Sequence, residues 1–189
     1  MVSETSIQPS PHFFRENGQL EGQHVVRSTK TIGQLKHIFR NEAARAAMPP
    51  STMVYQVEAY MPIPGGTEGG LFFGTTTISP GMVDDEYFMT QGHFHEKGNR
   101  AEYYWCLQGE GMLLLMEKDR TCRSERMLPN TLHYIPAHTG HRVINTGKEN
   151  LVFSACWPSD AGYDYDVILR DGFSQRVICR DGQPSVIQL

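Results

Sequence analysis

The sequence predicts a single mainly-β domain, a sandwich or barrel of short strands, with one helix ahead of it. After residue 50 the chain breaks into many short runs rich in β-branched and aromatic residues, separated by Gly, Pro and Asn turns, the pattern of antiparallel sandwiches and barrels. Before residue 50 the clear periodicity is helical. A length of 189 residues allows one sizeable core and falls short of what two usually need.

In chain order, residues 1–30, with "PSPHFF", read as an N-terminal extension, and 31–189 as one domain. The helix is expected over "TIGQLKHIFRNEAARAAM", Thr31 to Met48. Ile32, Leu35, Ile38 and Phe39 recur at helical spacing, Thr31 and Gln34 make a capping-box pattern, and Pro49-Pro50 stops the run. Strands are expected at 53–60, 69–78, 86–95, 101–107, 111–118, 131–136, 141–145, 150–157 and 174–180. "GGTEGG", 65–70, reads as a hairpin loop, and no repeat or low-complexity linker marks a second domain.

Composition narrows the setting. A net charge of -4 gives no electrostatic reason to expect nucleic acid, whose binding rests on many Lys and Arg contacts. No run approaches the roughly 20 apolar residues of a membrane span, and the N-terminus has neither the basic start nor the apolar stretch of a secretory signal. A cytoplasmic protein without membrane or nucleic-acid partners is expected. Cys106, Cys122, Cys156 and Cys179 are far apart and form no CxxC, so reduced thiols are expected rather than a zinc ribbon or a dithiol redox site.

The chemistry concentrates in "MTQGHFHEKGNRAEYYWCLQGEGMLLL". Successive side chains on a strand face opposite ways, so His93 and His95 face the same way. After the "EKGN" loop, Glu102 opens the next strand and can return its carboxylate to that face. In "LPNTLHYIPAHTGHRVIN", His141 begins a strand after a Pro-and-Gly turn and can close the set. Two or three imidazoles with one carboxylate suit a divalent metal with open positions. One such ion per subunit, held by His93, His95, Glu102 and His141, is expected. His133 and His138 read as surface or supporting residues.

These residues resemble the two motifs of the cupin superfamily. His93, His95, Glu102 and Gly109 match the first, and Pro136, His141 and Asn145 the second; His138 stands where a Gly is usual. The long gap from His95 to Glu102 marks one subgroup. With "FMTQGHFH", "LPNTLHYIP" and "PSDAGYDYD", the chain resembles the cupin-type glucose-6-phosphate isomerases from about Thr31 through Ile178. The resemblance implies a cupin double-stranded β-helix, or jelly-roll, barrel and a homodimer. It implies a metal that is iron foremost, or manganese, nickel or zinc, and an isomerase of glycolysis and gluconeogenesis. It also implies that Thr76, Thr90 and Gly92 hold the phosphate of a sugar phosphate, and Tyr104 and Tyr165 its sugar end. Two departures bear on the substrate: Gln91 stands where the family often has Lys, and Tyr163 where it often has His.

Isomerising an aldose to a ketose moves hydrogen between C1 and C2 while their oxygens exchange roles. A metal would act as Lewis acid on those oxygens, and Glu102 would be the base that moves the proton; a metal-assisted hydride shift is the competing route. Two other functions stay open. A non-haem metal oxygenase uses the same ligand types, and a non-catalytic sugar-phosphate-binding cupin would keep metal and pocket without turnover. The plainer reading of Thr90, Gly92, Tyr104 and Tyr165 is of strand, bulge and half-buried aromatic residues.

Overall fold

The structure, a computed structural model, describes residues 9–189; residues 1–8 of the N-terminal segment lie outside the described residues. Fifteen strands follow in order: β1 (His12–Phe14), β2 (Gln19–Glu21), β3 (Val25–Thr31), β4 (Met53–Tyr60), β5 (Leu71–Ile78), β6 (Met82–Val83), β7 (Glu86–Tyr87), β8 (Glu102–Gln108), β9 (Gly111–Met116), β10 (Cys122–Met127), β11 (Leu132–Ile135), β12 (Gly140–Asn145), β13 (Leu151–Pro158), β14 (Gln175–Arg180) and β15 (Gln183–Gln188). Two short helices, α1 (Glu42–Ala47) and α2 (Asp166–Asp171), and a 3-10 turn at Ile32–Gln34 complete the elements of the described residues.

The expected mainly-β cupin barrel is what these strands build. A six-stranded antiparallel sheet runs β11-β8-β13-β5-β4-β3, and a three-stranded sheet runs β10-β9-β12. A four-stranded sheet, β15-β14-β7-β6, and the β1-β2 hairpin flank them. The inward faces bury Leu113, Leu115, Ile78, Cys106, Phe153 and Phe173, all at 2% exposure or less, which removes enough apolar surface to drive folding. The 65–70 segment joins the antiparallel pair β4 and β5, as expected of a hairpin loop. All four cysteines are free thiols. Among the described residues no helix is long and apolar enough to cross a membrane.

The single helix expected from Thr31 to Met48 is a correction. The chain forms only the 3-10 turn and, after a break, α1. His37 at the break has φ 64°, a left-handed conformation that ends helices. Its N–H donates to the Glu42 carboxylate, Arg40 N–H donates to Glu86, and the Asn41 side chain caps α1 by accepting from Ala44 N–H. The apolar spacing was nevertheless informative, because Ile32, Leu35, Ile38 and Phe39 are all buried. The strand expected at 86–95 is likewise interrupted after Tyr87 and continues only as isolated bridges, Met89 to Ile144, His93 to His141 and Phe94 to Asp164. β3 pairs with β4 from Val25 to Thr31, across the boundary drawn at residue 30.

Candidate active site

The bridge between His93 and His141 sets the geometry. His93 N–H donates to the His141 carbonyl (3.2 Å) and His141 N–H to that of His93 (3.0 Å), which brings their imidazoles to 4.3 Å between centroids. His95, two residues on, shares their side, with its ring 5.7 Å from His93 and 5.4 Å from His141. Glu102 begins β8 and faces all three. The ligand atoms of His93, His95, Glu102 and His141 lie within 4.8 Å of one another, so the four residues singled out in the sequence converge.

The donor set fits a divalent cation on an observation independent of its composition. Glu102 Oε1 and His141 Nε2 are 2.6 Å apart yet lack the alignment of a hydrogen bond, and both are buried without any other partner. Orphaned buried polar atoms are costly; a cation between them would satisfy both. The outward nitrogens are already engaged. His95 Nδ1 lies 2.9 Å from the Arg100 carbonyl and His141 Nδ1 3.4 Å from that of Thr139. A carbonyl only accepts, so each Nδ1 carries the proton and each Nε2 turns a lone pair to the centre.

Burial acts on His93, His95, Glu102 and the neighbouring Tyr104. It pushes His93 well below its usual value, helped by the neighbouring His141, so this imidazole is neutral. For Glu102, burial opposes ionisation, but His141, His95 and His93 together hold its carboxyl well below the usual carboxylate range. Burial also opposes charge on His95, where the Glu102 carboxylate prevails and raises the pKa. Tyr104 is driven far upward, first by burial and then by Glu102, and remains a neutral phenol.

The long His95–Glu102 gap is folded down by Asp160, whose side chain is 1% exposed. Its carboxylate accepts from Arg100 Nε (2.9 Å), Arg100 Nη2 (2.8 Å) and Lys97 Nζ (2.9 Å). Arg100 in turn offers its carbonyl to His95, so Asp160 supports that imidazole at one remove. His138, with φ 65°, donates its N–H to the Gly98 carbonyl in the same loop; the left-handed conformation accounts for the glycine usual at this place. His133 is buried with both nitrogens engaged, one by Glu125 and one by Thr131. Two further motif residues, Gly109 and Asn145, are structural. Gly109 has φ 77°, and a Cβ there would collide with the Asn150 backbone. Asn145 bonds the Ile78 and Glu149 carbonyls and the Gly147 N–H.

A cavity of about 350 Å³ opens above the four residues, within the range of small-molecule sites. Thr76, Thr90, Gly92, Tyr104 and Tyr165 all line it. Strand register explains why: Ser28, Val57, Thr76 and Phe153 lie in one row across β3, β4, β5 and β13, and Val26, Ala59, Gly74, Ala155 and Tyr104 in another that reaches β8. Thr90 Oγ1 accepts from Val143 N–H at 3.1 Å, leaving its proton to donate. The Tyr163 and Tyr165 rings stack at 6.0 Å beside His93. Sequence reasoning missed Ser28 and Lys30 on β3, Tyr55 on β4 and Trp157 on β13, which also line the cavity. For β3 the available signal was the alternation of Val26, Ser28 and Lys30 on one face.

A family model described as Glucose-6-phosphate isomerase (GPI) matches residues 29–188. The glucose-6-phosphate isomerase of Thermococcus litoralis is 38% identical over 168 residues, 89% of this chain and 87% of that protein. That of Pyrococcus horikoshii is 37% identical over 172 residues, 91% of this chain and 90% of that protein. Among solved structures, the oxalate decarboxylase of Bacillus subtilis aligns with 58% of this chain and 26% of that one, at 23% identity and a TM-score of 0.45.

Proposed function

The chain belongs to the glucose-6-phosphate isomerase family, and from that premise we propose that it is a metal-dependent enzyme interconverting glucose 6-phosphate and fructose 6-phosphate. The observation that carries the metal dependence is the convergence of His93, His95, Glu102 and His141 on the floor of the cavity. An ion held there supplies Lewis acidity to the oxygens on C1 and C2 of the sugar. Thr76 and Thr90 donate hydroxyl protons to the phosphate, and the Gly92 backbone, at φ 75°, offers its N–H beside them. Tyr104 and Tyr165 present phenols to the sugar.

Glu102 is the carboxylate in place to carry the proton between C2 and C1. Its held ionisation makes it ready to accept but a weak base, so transfer depends on the acidity of the C2 proton once the carbonyl is polarised. Deuterium from solvent appearing in the product identifies proton transfer; full retention of the substrate hydrogen identifies a hydride shift. The reading includes iron as the first candidate metal, a homodimer, one cupin domain over 31–189, and glycolysis and gluconeogenesis in the cytoplasm as the setting.

The deciding experiment is fructose 6-phosphate turnover on protein stripped with a chelator and resupplied singly with Fe, Mn, Ni or Zn. Activity that vanishes on stripping, returns with metal and is lost in Glu102→Gln supports the isomerase. Oxygen uptake in its place would point to an oxygenase, and tight sugar-phosphate binding without turnover to a binding protein.

A further inference from the structure

The phosphate end of the cavity carries a single lining lysine among the described residues, the half-exposed Lys30, because Gln91 stands where the resemblance leads one to expect a second. A cation lies directly behind that wall. Arg142, on β12 beside His141, is 2% exposed, and among the described residues it has no carboxylate within ion-pair distance. Its Nη2 donates to the Gln91 carbonyl at 2.6 Å, its guanidinium lies 4.6 Å over the Phe173 ring, and its Nε is buried without a partner. The neighbouring Arg176 is the contrast: it is paired with Glu86 at 2.6 Å and donates to the Ile38 carbonyl. A structural arginine in this core is therefore given a counter-charge, and Arg142 is not. A buried cation without a partner is costly, and an incoming anion would supply one.

The contact also orients the backbone. Among the described residues no peptide bond is cis, and in a trans peptide the C=O and N–H point in opposite directions. With the Gln91 carbonyl held from behind by Arg142, the Gly92 N–H of the same peptide turns the other way. That is the side on which Gln91 and Gly92 line the cavity and Arg142 does not. Among the described residues this N–H meets no backbone acceptor.

We infer that Arg142 is a positioning residue for the substrate phosphate: it turns the Gly92 N–H into the cavity and supplies from behind the wall the positive charge that Gln91 lacks. The inference rests on the phosphate placement proposed above.

The test uses the full-length, metal-loaded protein with Arg142→Met and Arg142→Lys. Three quantities are read: KM and kcat for fructose 6-phosphate, the inhibition constant of inorganic phosphate, and the Gly92 amide resonance in glycine-labelled protein titrated with phosphate. Arg142→Met should raise KM and the phosphate constant together by about 10-fold or more, with kcat within about threefold and metal content unchanged. Arg142→Lys keeps the charge without the planar guanidinium stacked on Phe173 and should recover part of the loss. An unchanged KM and phosphate constant in folded Arg142→Met, or a loss of kcat that tracks loss of metal, overturns the inference. Should Arg142→Met not fold, the amide decides, because phosphate must shift the Gly92 resonance in wild type and less so in Arg142→Lys. A wild-type protein without turnover would defeat the isomerase reading alone, and the phosphate titration would still decide the role of Arg142.

Discussion

The two ends of the cavity are built in opposite ways. At the proposed metal end, four side chains from β8, β12 and the segment between β7 and β8 converge, with backbone carbonyls engaging the rings of His95 and His141, and Asp160 holding down the loop between His95 and Glu102. The other end is the proposed phosphate end. At the phosphate end, β3, β4, β5 and the 90–92 turn bring hydroxyls, a glycine N–H and one half-buried lysine to an open wall. The first arrangement gathers its donor atoms in one buried place, and chelation requires such preorganisation. The second leaves donors free, as recognition of a many-oxygened anion requires. The contrast predicts that damage at the metal end appears as lost metal and lost kcat, and damage at the phosphate end as raised KM.

The largest effect should follow His141→Ala. It removes one of the four proposed ligands and leaves Glu102 buried without its nearest neighbour, so metal content should fall to background and turnover by about 10³-fold or more. Metal analysis beside steady-state kinetics checks this; full metal occupancy with only KM altered would break the comparison outright. Asp160→Ala comes next. Freed of Asp160, the 96–100 loop no longer holds the Arg100 carbonyl on His95, and metal affinity should fall about 10–100-fold by chelator competition. The same carboxylate makes a pH prediction. Arg100 and Lys97 hold its pKa below the ordinary 3.8, so its stabilisation is present above that value and is lost as pH falls toward the folded one. The difference in melting temperature between wild type and Asp160→Asn should therefore be constant near neutrality and shrink below about pH 4.

The same contrast explains what the sequence disclosed. The metal end was legible because its residues sit in short motifs: His93 and His95 two apart, Glu102 after one loop, and His141 after a Pro-and-Gly turn. Apolar strands such as β9 and β13 were legible for the same local reason. The phosphate wall depends on register between strands distant in sequence, which no local pattern encodes. Thr76 and Gly92 were reached through family resemblance, whereas Ser28 and Lys30 fell in a segment read as an extension. β10 and β15 went unread because "CRSERM" and "QPSVIQ" have no strong apolar alternation. The helix over 31–48 was overread because the apolar spacing that buries Leu35 and Ile38 is served equally by two short turns, and nothing local announces a left-handed His37.

Gly92→Ala tests the turn where the two ends meet. Its φ of 75° disfavours any side chain, and a Cβ would lie 2.8 Å from the Phe173 ring and 3.1 Å from Arg142. The two strains together should cost about 1–3 kcal/mol in chemical denaturation. Because the added methyl presses on Phe173 and Arg142 behind the wall and so displaces the turn that carries the Gly92 N–H, KM should rise more than kcat falls, and metal content should hold. Loss of metal in this variant would show that the 90–92 turn also supports His93, and the ends would be less separate than drawn.

The smallest effect is expected from Lys30→Met, and it sharpens the comparison most finely. Lys30 is the one lysine lining the cavity and stands across from Tyr55 in the β3–β4 register, on the open wall. A half-exposed cation facing a phosphate contributes little in water and is screened by salt. KM should rise only about threefold to fivefold at low ionic strength, with the increase fading in high salt and kcat unchanged. Set beside Arg142→Met, the outcome ranks two cations of one anion site by burial. If Lys30 mattered more than Arg142, the phosphate would be read by an exposed point charge from the sheet edge. If it matters less, the barrel directs its anion mainly through backbone held from within.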